Sequence, residues 1–164
     1  MSKKAAIVVG VLCIALGIVG VVIQISGDSG QGPEAGHDSA ERPELVQWQT
    51  PESYAQLTNE PTKPILFDFS AVWCGPCKRL AKDVFADQES ASYINENFTP
   101  VQVMEPNGEA PQSVQDLQNK FGVKGFPTLI VKGKADGQLR SIVGYPGKDA
   151  TMDFLKQSLT EVSN

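Results

Sequence analysis

Apolar residues fall into two regimes along the chain. From Ala5 to Ile23 the sequence runs AAIVVGVLCIALGIVGVVI without a polar residue. Extended through Gln24 and Ile25, a helix of this stretch spans roughly 31 Å and matches a hydrocarbon layer ~30 Å thick. Residues 26–44, SGDSGQGPEAGHDSAERPE, are then rich in Gly, Ser, Pro and acid, the composition of a flexible tether. Beyond Leu45 short apolar runs alternate with amphipathic ones. Val46–Gln49 reads as a short strand and Pro51–Asn59 as a helix. Pro64–Phe69 (PILFDF) is the near-continuous run of a strand buried on both faces. Helices are predicted at Cys74–Phe85, Asp87–Phe98, Ala110–Phe121 and Thr151–Leu159, and strands at Pro100–Met104, Thr128–Val131 and Gln138–Val143, with a turn at Gly137. Strands alternating with helices imply an α/β layer fold, a central sheet with helices on both faces. The sequence shows no internal repeat.

The expected organisation is a cytoplasmic N-terminus at 1–4, a transmembrane anchor at 5–25, a linker at 26–44 and one domain at 45–164. A cleaved signal peptide is the competing reading of the first segment. Its apolar region is usually ~7–15 residues and precedes a small-x-small site; this run is longer, and Ile25-Ser26-Gly27 is a poor site, so a retained anchor is favoured. Cys13 is read as a small apolar residue facing lipid, and His37, the single histidine, as part of a solvated spacer. Lys3 and Lys4 precede the span, whereas Asp28, Glu34, Asp38 and Glu41 follow it with Arg42 alone among them. Basic flanks stay cytoplasmic, which places the domain outside. Setting those two lysines aside takes the 14 basic residues to 12 against 19 acidic ones, a formal charge of −7. That balance argues against binding nucleic acid or docking on anionic lipid.

The chemistry is concentrated in Trp73-Cys74-Gly75-Pro76-Cys77-Lys78. Two thiols separated by two residues can close a small disulfide, and a helix beginning between them makes one of them the more reactive. Unpaired backbone N–H groups and the positive dipole end stabilise a thiolate at a helix N-terminus, moving its pKa from ~8.5 into the ~3.5–7.5 range. Gly75 permits the sharp turn, and Pro76 presets φ where no N–H is needed. Zinc sites also use this spacing but need further ligands, and the sequence has no second Cys or His pair; inert core cysteines are the remaining alternative. A dithiol–disulfide exchange site is the expectation.

PILFDFSAVWCGPCKRL, followed some fifty residues later by VKGFPTLIV, closely resembles the thioredoxin superfamily. The resemblance covers about Leu45 to Asn164 and implies the thioredoxin fold, here preceded by one transmembrane helix. The run AKDVFADQESASYINENF after the site is similar to the C-terminal domain of the bacterial transmembrane disulfide-reductant conduit and to related periplasmic proteins. The resemblance makes Cys74, the more N-terminal and in the family the exposed cysteine, the nucleophile that forms a mixed disulfide. It makes Cys77 the shielded residue that resolves it, so the redox-active Cys74–Cys77 disulfide is the reacting group and no other cofactor is expected. Asp68, in an otherwise apolar strand where a carboxylate is costly to bury, becomes the proton acceptor for Cys77; the plainer reading is a strand-end Asp facing solvent. Pro127 in Gly-Phe-Pro-Thr matches the family's cis-proline loop. Such a loop lets the backbone of Phe126 pair with an extended substrate, and Trp73, Gly75, Pro76, Phe126 and Pro127 are the expected substrate-binding residues. Ordinary packing accounts equally well for Phe126, and Trp48 is assigned to the core. Two departures stand out. The lysine usually found near the buried aspartate is Gln102 or a neighbour here, and the proline that kinks the long helix is absent, with Ala81–Phe85 in its place.

These residues describe a membrane-tethered thiol–disulfide oxidoreductase of the bacterial cytoplasmic membrane, with its domain in the periplasm or an equivalent space. Gly-Pro between the cysteines favours a reductant of protein disulfides, fed by a transmembrane or soluble thiol reductase and acting as a monomer. The rivals are an oxidase or isomerase, and a binding or chaperone module without turnover. A reporter that folds only outside the cytoplasm, fused after Asn164, is expected to be active. Activity from a cytoplasm-restricted reporter instead would overturn the topology.

Overall fold

A computed structural model describes residues 45–56, 62–134 and 138–162. The expected anchor, the linker with His37, and the turn at Gly137 lie outside those residues. Among the described residues no helix is long and apolar enough to cross a membrane.

The elements in chain order are α1 (Pro51–Ala55), β1 (Ile65–Ala71), α2 (Gly75–Leu80) running on as a π-helical turn (Ala81–Phe85), α3 (Gln88–Asn97), β2 (Thr99–Glu105), α4 (Gln112–Phe121), β3 (Thr128–Lys132), β4 (Leu139–Val143) and α5 (Lys148–Val162). The sheet order is β2-β1-β3-β4. β1 runs parallel to β2 and antiparallel to β3, and β3 runs antiparallel to β4. The predicted α/β architecture with a mixed sheet is therefore present.

Alternation along β1 builds the two layers. Leu66 joins Leu129 and Val131 of β3 beneath Leu80, Val84 and Phe85 of the α2 segment, Ile94 of α3 and Leu155 of α5. Ile65, Phe67 and Phe69 turn to the opposite face with Val101, Val103 and Ile130, under Val114 and Leu117 of α4, with Tyr54 of α1 alongside. Successive strand residues point to opposite faces, so a strand covered on both sides has no position left for a solvated side chain. All seven residues of β1 are buried. Phe67 anchors the second layer through ring contacts with Tyr54 at 5.1 Å and Phe121 at 4.8 Å.

Several boundaries differ from the expectation. Val46–Gln49 forms a single parallel bridge, Gln49 to Val101, rather than a strand. Thr50 caps α1 by accepting from the Ser53 N–H at 3.1 Å and Pro51 occupies the first turn, which turns the chain away from the sheet after one pairing. α1 is assigned over Pro51–Ala55, and residues 57–59 of its predicted extent are not among those described. Asp87 lies outside α3 as its N-cap, its carboxylate accepting from Ser90 N at 2.9 Å. α4 starts at Gln112, with Pro111 at its N-cap, and ends on Gly122 at φ 64°, a left-handed conformation that favours glycine. β3 extends one residue past its predicted end, β4 begins one later, and α5 is longer at both ends. Trp48 is only partly buried; it packs at the edge of the first layer, edge-to-face on Phe85 with centroids 4.9 Å apart.

Phe67→Ala should destabilise the domain by ~3–5 kcal/mol, the usual cost of removing a buried aromatic ring. The measurement is the urea midpoint at constant slope, and a loss below about 0.5 kcal/mol would show that this layer does not hold the fold.

Candidate dithiol site

The site forms where two loops meet at one end of the sheet. Phe69, near the C-terminal end of β1, is opposite Thr128, the first residue of β3. Because these central strands are antiparallel, the loop leaving β1 and the loop entering β3 emerge side by side. The first carries Trp73 and Cys74, and the second Phe126 and Pro127. The Cys74 N–H donates to the Ala71 carbonyl at 3.0 Å and the Val72 N–H to Glu105 at 3.0 Å, fixing the turn against the ends of β1 and β2.

Cys74 is the N-cap of α2, and Gly75 and Pro76 are its first two residues. Cys74 and Cys77 form a disulfide with Cα atoms 5.3 Å apart. The Cys77 N–H points at Cys74 Sγ from 3.2 Å, placing that sulfur over the unpaired N–H groups of the helix start. The expectation of an exposed Cys74 and a shielded Cys77 is corrected in this oxidised state: both residues are 5% exposed, because each sulfur covers the other and Ala71 and Phe126 close over the pair. What separates them is the cap position of Cys74.

The flanking residues gather as expected. Trp73 is 60% exposed and meets Phe126 edge-to-face at 5.8 Å, while Phe126 reaches both the cysteines and the second layer. The Phe126–Pro127 peptide bond is cis. Thr128 Oγ1 donates to the Gly125 carbonyl at 2.8 Å, and the Gly144 N–H donates to the Pro127 carbonyl at 2.7 Å, so both chain neighbours brace this loop. Val72 and Val143 are also exposed, and Val143 opposes Thr128 across the β3–β4 ladder.

Asp68 is 1% exposed, which excludes the solvent-facing reading. It pairs in register with Gln102 on β2 and Leu129 on β3, so Gln102 is the sheet neighbour that the sequence comparison singled out. Ser70 Oγ donates to Asp68 Oδ1 at 2.7 Å. Sequence reasoning passed over Ser70, although a second polar residue two positions along one strand shares its face with the first and could have signalled the pair. Tyr145 was also passed over. Its hydroxyl donates to Asp83 Oδ2 at 3.0 Å across a separation of 62 residues, for which no local pattern exists. Burial and the adjacent Asp83 carboxylate push the Tyr145 phenol up to about 12.

These features decide the family. A thioredoxin-like domain profile matches residues 52–158. The chain belongs to the thioredoxin-like domain family. Thioredoxin of Mycolicibacterium smegmatis is 31% identical over 110 residues, which cover 67% of this chain and 91% of that protein. The Oryza sativa subsp. japonica protein disulfide isomerase-like 2-1 is 34% identical over 116 residues, 70% of this chain but 28% of that protein. With two further plant relatives, this thioredoxin-like chain spans only 18–28% of the length of the protein disulfide isomerases it matches. The solved DsbH oxidoreductase superposes with a TM-score of 0.60 at 22% identity, covering 82% of this chain and 95% of that one, a likeness of fold. The pair Cys74–Cys77 of this thioredoxin-like domain is thus a disulfide-forming pair within a family of disulfide oxidoreductases.

At the N-terminal ends of α3 and α5, Lys148 Nζ lies 2.9 Å from Asp87 Oδ2. Hydrogen bonds from the Ser90 backbone first, then from Lys148 and the Ser90 hydroxyl, lower Asp87 to about 2. A depressed folded-state pKa adds stability above the ordinary carboxylate value of ~3.9 that is lost as pH falls toward about 2. Asp87→Asn should therefore flatten the acid limb of stability between these values, measured as urea midpoint against pH. An unchanged limb would remove Asp87 from the acid response.

Proposed function

We propose that this chain is a membrane-tethered, extracytoplasmic thiol–disulfide oxidoreductase that reduces protein disulfides. The observation that carries the reading is the bonded Cys74–Cys77 pair with the Cys77 N–H directed at Cys74 Sγ. In the reduced protein the same helix start stabilises a Cys74 thiolate. That thiolate attacks one sulfur of a substrate disulfide, forming a mixed disulfide and releasing the other substrate sulfur as a thiolate, which takes up a proton. Cys77 then loses its proton to Asp68 and attacks Cys74 Sγ. The mixed disulfide breaks, the second substrate sulfur leaves as a thiolate that takes the proton held by Asp68, and the Cys74–Cys77 disulfide closes. Two electrons pass to the substrate, whose two thiols take one proton from solvent and one from Cys77 by way of Asp68. A dithiol donor, a transmembrane or soluble thiol reductase, restores the pair. Trp73, Gly75, Pro76, Phe126 and Pro127 form the surface on which the substrate rests, with Phe126 supplying backbone for strand-like pairing. The apolar run at 5–25 supports the tether, and the basic residues before it support the extracytoplasmic placement.

A second reading, isomerase, is favoured by the names of the plant and fungal relatives. The reduction potential separates the two. A value near the ~−270 mV of thioredoxin supports a reductant, whereas one near the ~−180 mV of protein disulfide isomerase or the ~−120 mV of a strong oxidant reverses the direction.

Cys77→Ser in the full chain should arrest turnover as stable mixed disulfides through Cys74, seen as thiol-sensitive adducts on non-reducing gels. Absence of adducts, or adducts that persist when Cys74→Ser is added, would sink the exchange reading in favour of a binding module. Asp68→Asn should slow resolution by about 10²-fold or more while changing first attack less, as expected for removal of a proton acceptor. Equal slowing of both steps would deny Asp68 that role.

A further inference from the structure

The long helix that bears the dithiol is not continued as a regular α-helix. At Ala81–Phe85 it adopts a π-turn, with the Ala86 N–H donating to the Ala81 carbonyl five residues back at 2.8 Å. The family's proline is absent, yet the irregularity persists in another form, and single π-turns of this kind are frequent at functional sites. The turn presents Asp83 to solvent, where the Tyr145 hydroxyl meets it. Tyr145 belongs to the loop joining β4 to α5, which contains glycines at positive φ at 144 and 147. One end of that loop holds the cis-proline loop through Gly144 and Pro127, and the other is tied to the helices through Tyr145–Asp83 and Lys148–Asp87. The Tyr145 ring also packs against the first core layer. The loop thus runs from the cis-proline loop on one side of the dithiol to the helix that bears the dithiol on the other.

We propose that Tyr145 is a positioning residue: its hydrogen bond to Asp83 ties the cis-proline loop to the helix bearing Cys74 and Cys77, and so sets the groove that receives a polypeptide disulfide. Neither residue touches the reacting sulfurs, and both act through the spacing of the two walls. A folded or extended polypeptide must contact both walls to align its disulfide with Cys74, whereas a small disulfide needs only the sulfur. The phenol keeps its proton throughout the neutral range because burial and Asp83 favour the neutral form, so the tie is present wherever exchange operates.

This inference rests on the exchange activity proposed above, and the test separates the two. The full chain, reduced by dithiothreitol, is assayed on insulin and on hydroxyethyl disulfide. Tyr145→Phe should lower kcat/KM for insulin about fivefold more than for the small disulfide, mainly through KM; that ratio corresponds to ~1 kcal/mol, at 1.36 kcal/mol per tenfold. Asp83→Ala, at an exposed position that leaves the packed ring untouched, should give the same ratio. The double variant should be no worse than either single, and Asp83→Asn, which keeps an acceptor oxygen, should recover the ratio. Equal effects on both substrates, no effect, or additive losses in the double variant would overturn the positioning role while leaving the exchange reading intact. A wild-type chain inert toward both disulfides would overturn the exchange reading and this inference with it.

Discussion

Everything at the dithiol site depends on β1 being a strand with no free surface. It is hydrogen-bonded to β2 on one side and β3 on the other, in opposite senses, and packed by helices above and below. A strand so enclosed cannot slip, because a one-residue shift would exchange its apolar set between two differently shaped layers. The antiparallel partner then brings the residue before β3 to the end where β1 releases the chain. The loops that carry Cys74 and Pro127, 53 positions apart, therefore meet, with Phe126 packed on the cysteines as the visible consequence. Helix α2 departs from that fixed point, so the cap geometry of Cys74 inherits the rigidity of the sheet.

The parts legible in the sequence were those encoded by near neighbours. PILFDF reads as a doubly buried strand because burial on both faces removes alternation, and WCGPCK reads as a capped dithiol because cap, glycine and proline act within one turn. The α/β layering follows from segment order, and the mixed sheet from the resemblance to thioredoxins. Other features are set by tertiary partners. Val46–Gln49 has the composition of a strand, but Thr50 and Pro51 start a helix before a second pairing is made. The π-turn at Ala81–Phe85 has no local signature, since alanine, lysine, aspartate, valine and phenylalanine all accept regular helix geometry. Its neighbours supply what the sequence hides: the Phe85 carbonyl accepts from the Leu45 N–H at 2.9 Å, and Asp83 accepts from Tyr145. The equal cover of Cys74 and Cys77 was also beyond reach, because it belongs to the bonded pair rather than to either residue.

Asp68 bears on the difference between stability and chemistry. Burying a carboxyl group is costly, and the hydroxyl of Ser70 is one of the partners that offset that cost. Apolar residues of similar volume at such positions are often neutral or stabilising, and the surrounding Phe67, Phe69 and Leu66 show that this strand accommodates them. Packing alone therefore does not call for an acid at position 68. The proton-acceptor role proposed above supplies a reason, and the Ser70 hydroxyl, donating at 2.7 Å, is in keeping with it.

The same distinction applies to the two cysteines. With 5% exposure each, access to solvent does not distinguish them, and the roles proposed above rest on the electrostatics of the helix start. Cys74 precedes the first helical residue, where the Cys77 N–H can serve a negative sulfur without breaking a helical bond. Cys77 lies inside the first turn, where its sulfur is not the one capped by the helix start and a thiolate must be formed by handing its proton on. An attacking sulfur is best placed where its charge is already solvated by the protein, and a resolving sulfur where its charge appears only as the bond forms. The cap position of Cys74 is thus the asymmetry on which the proposed order of reaction rests.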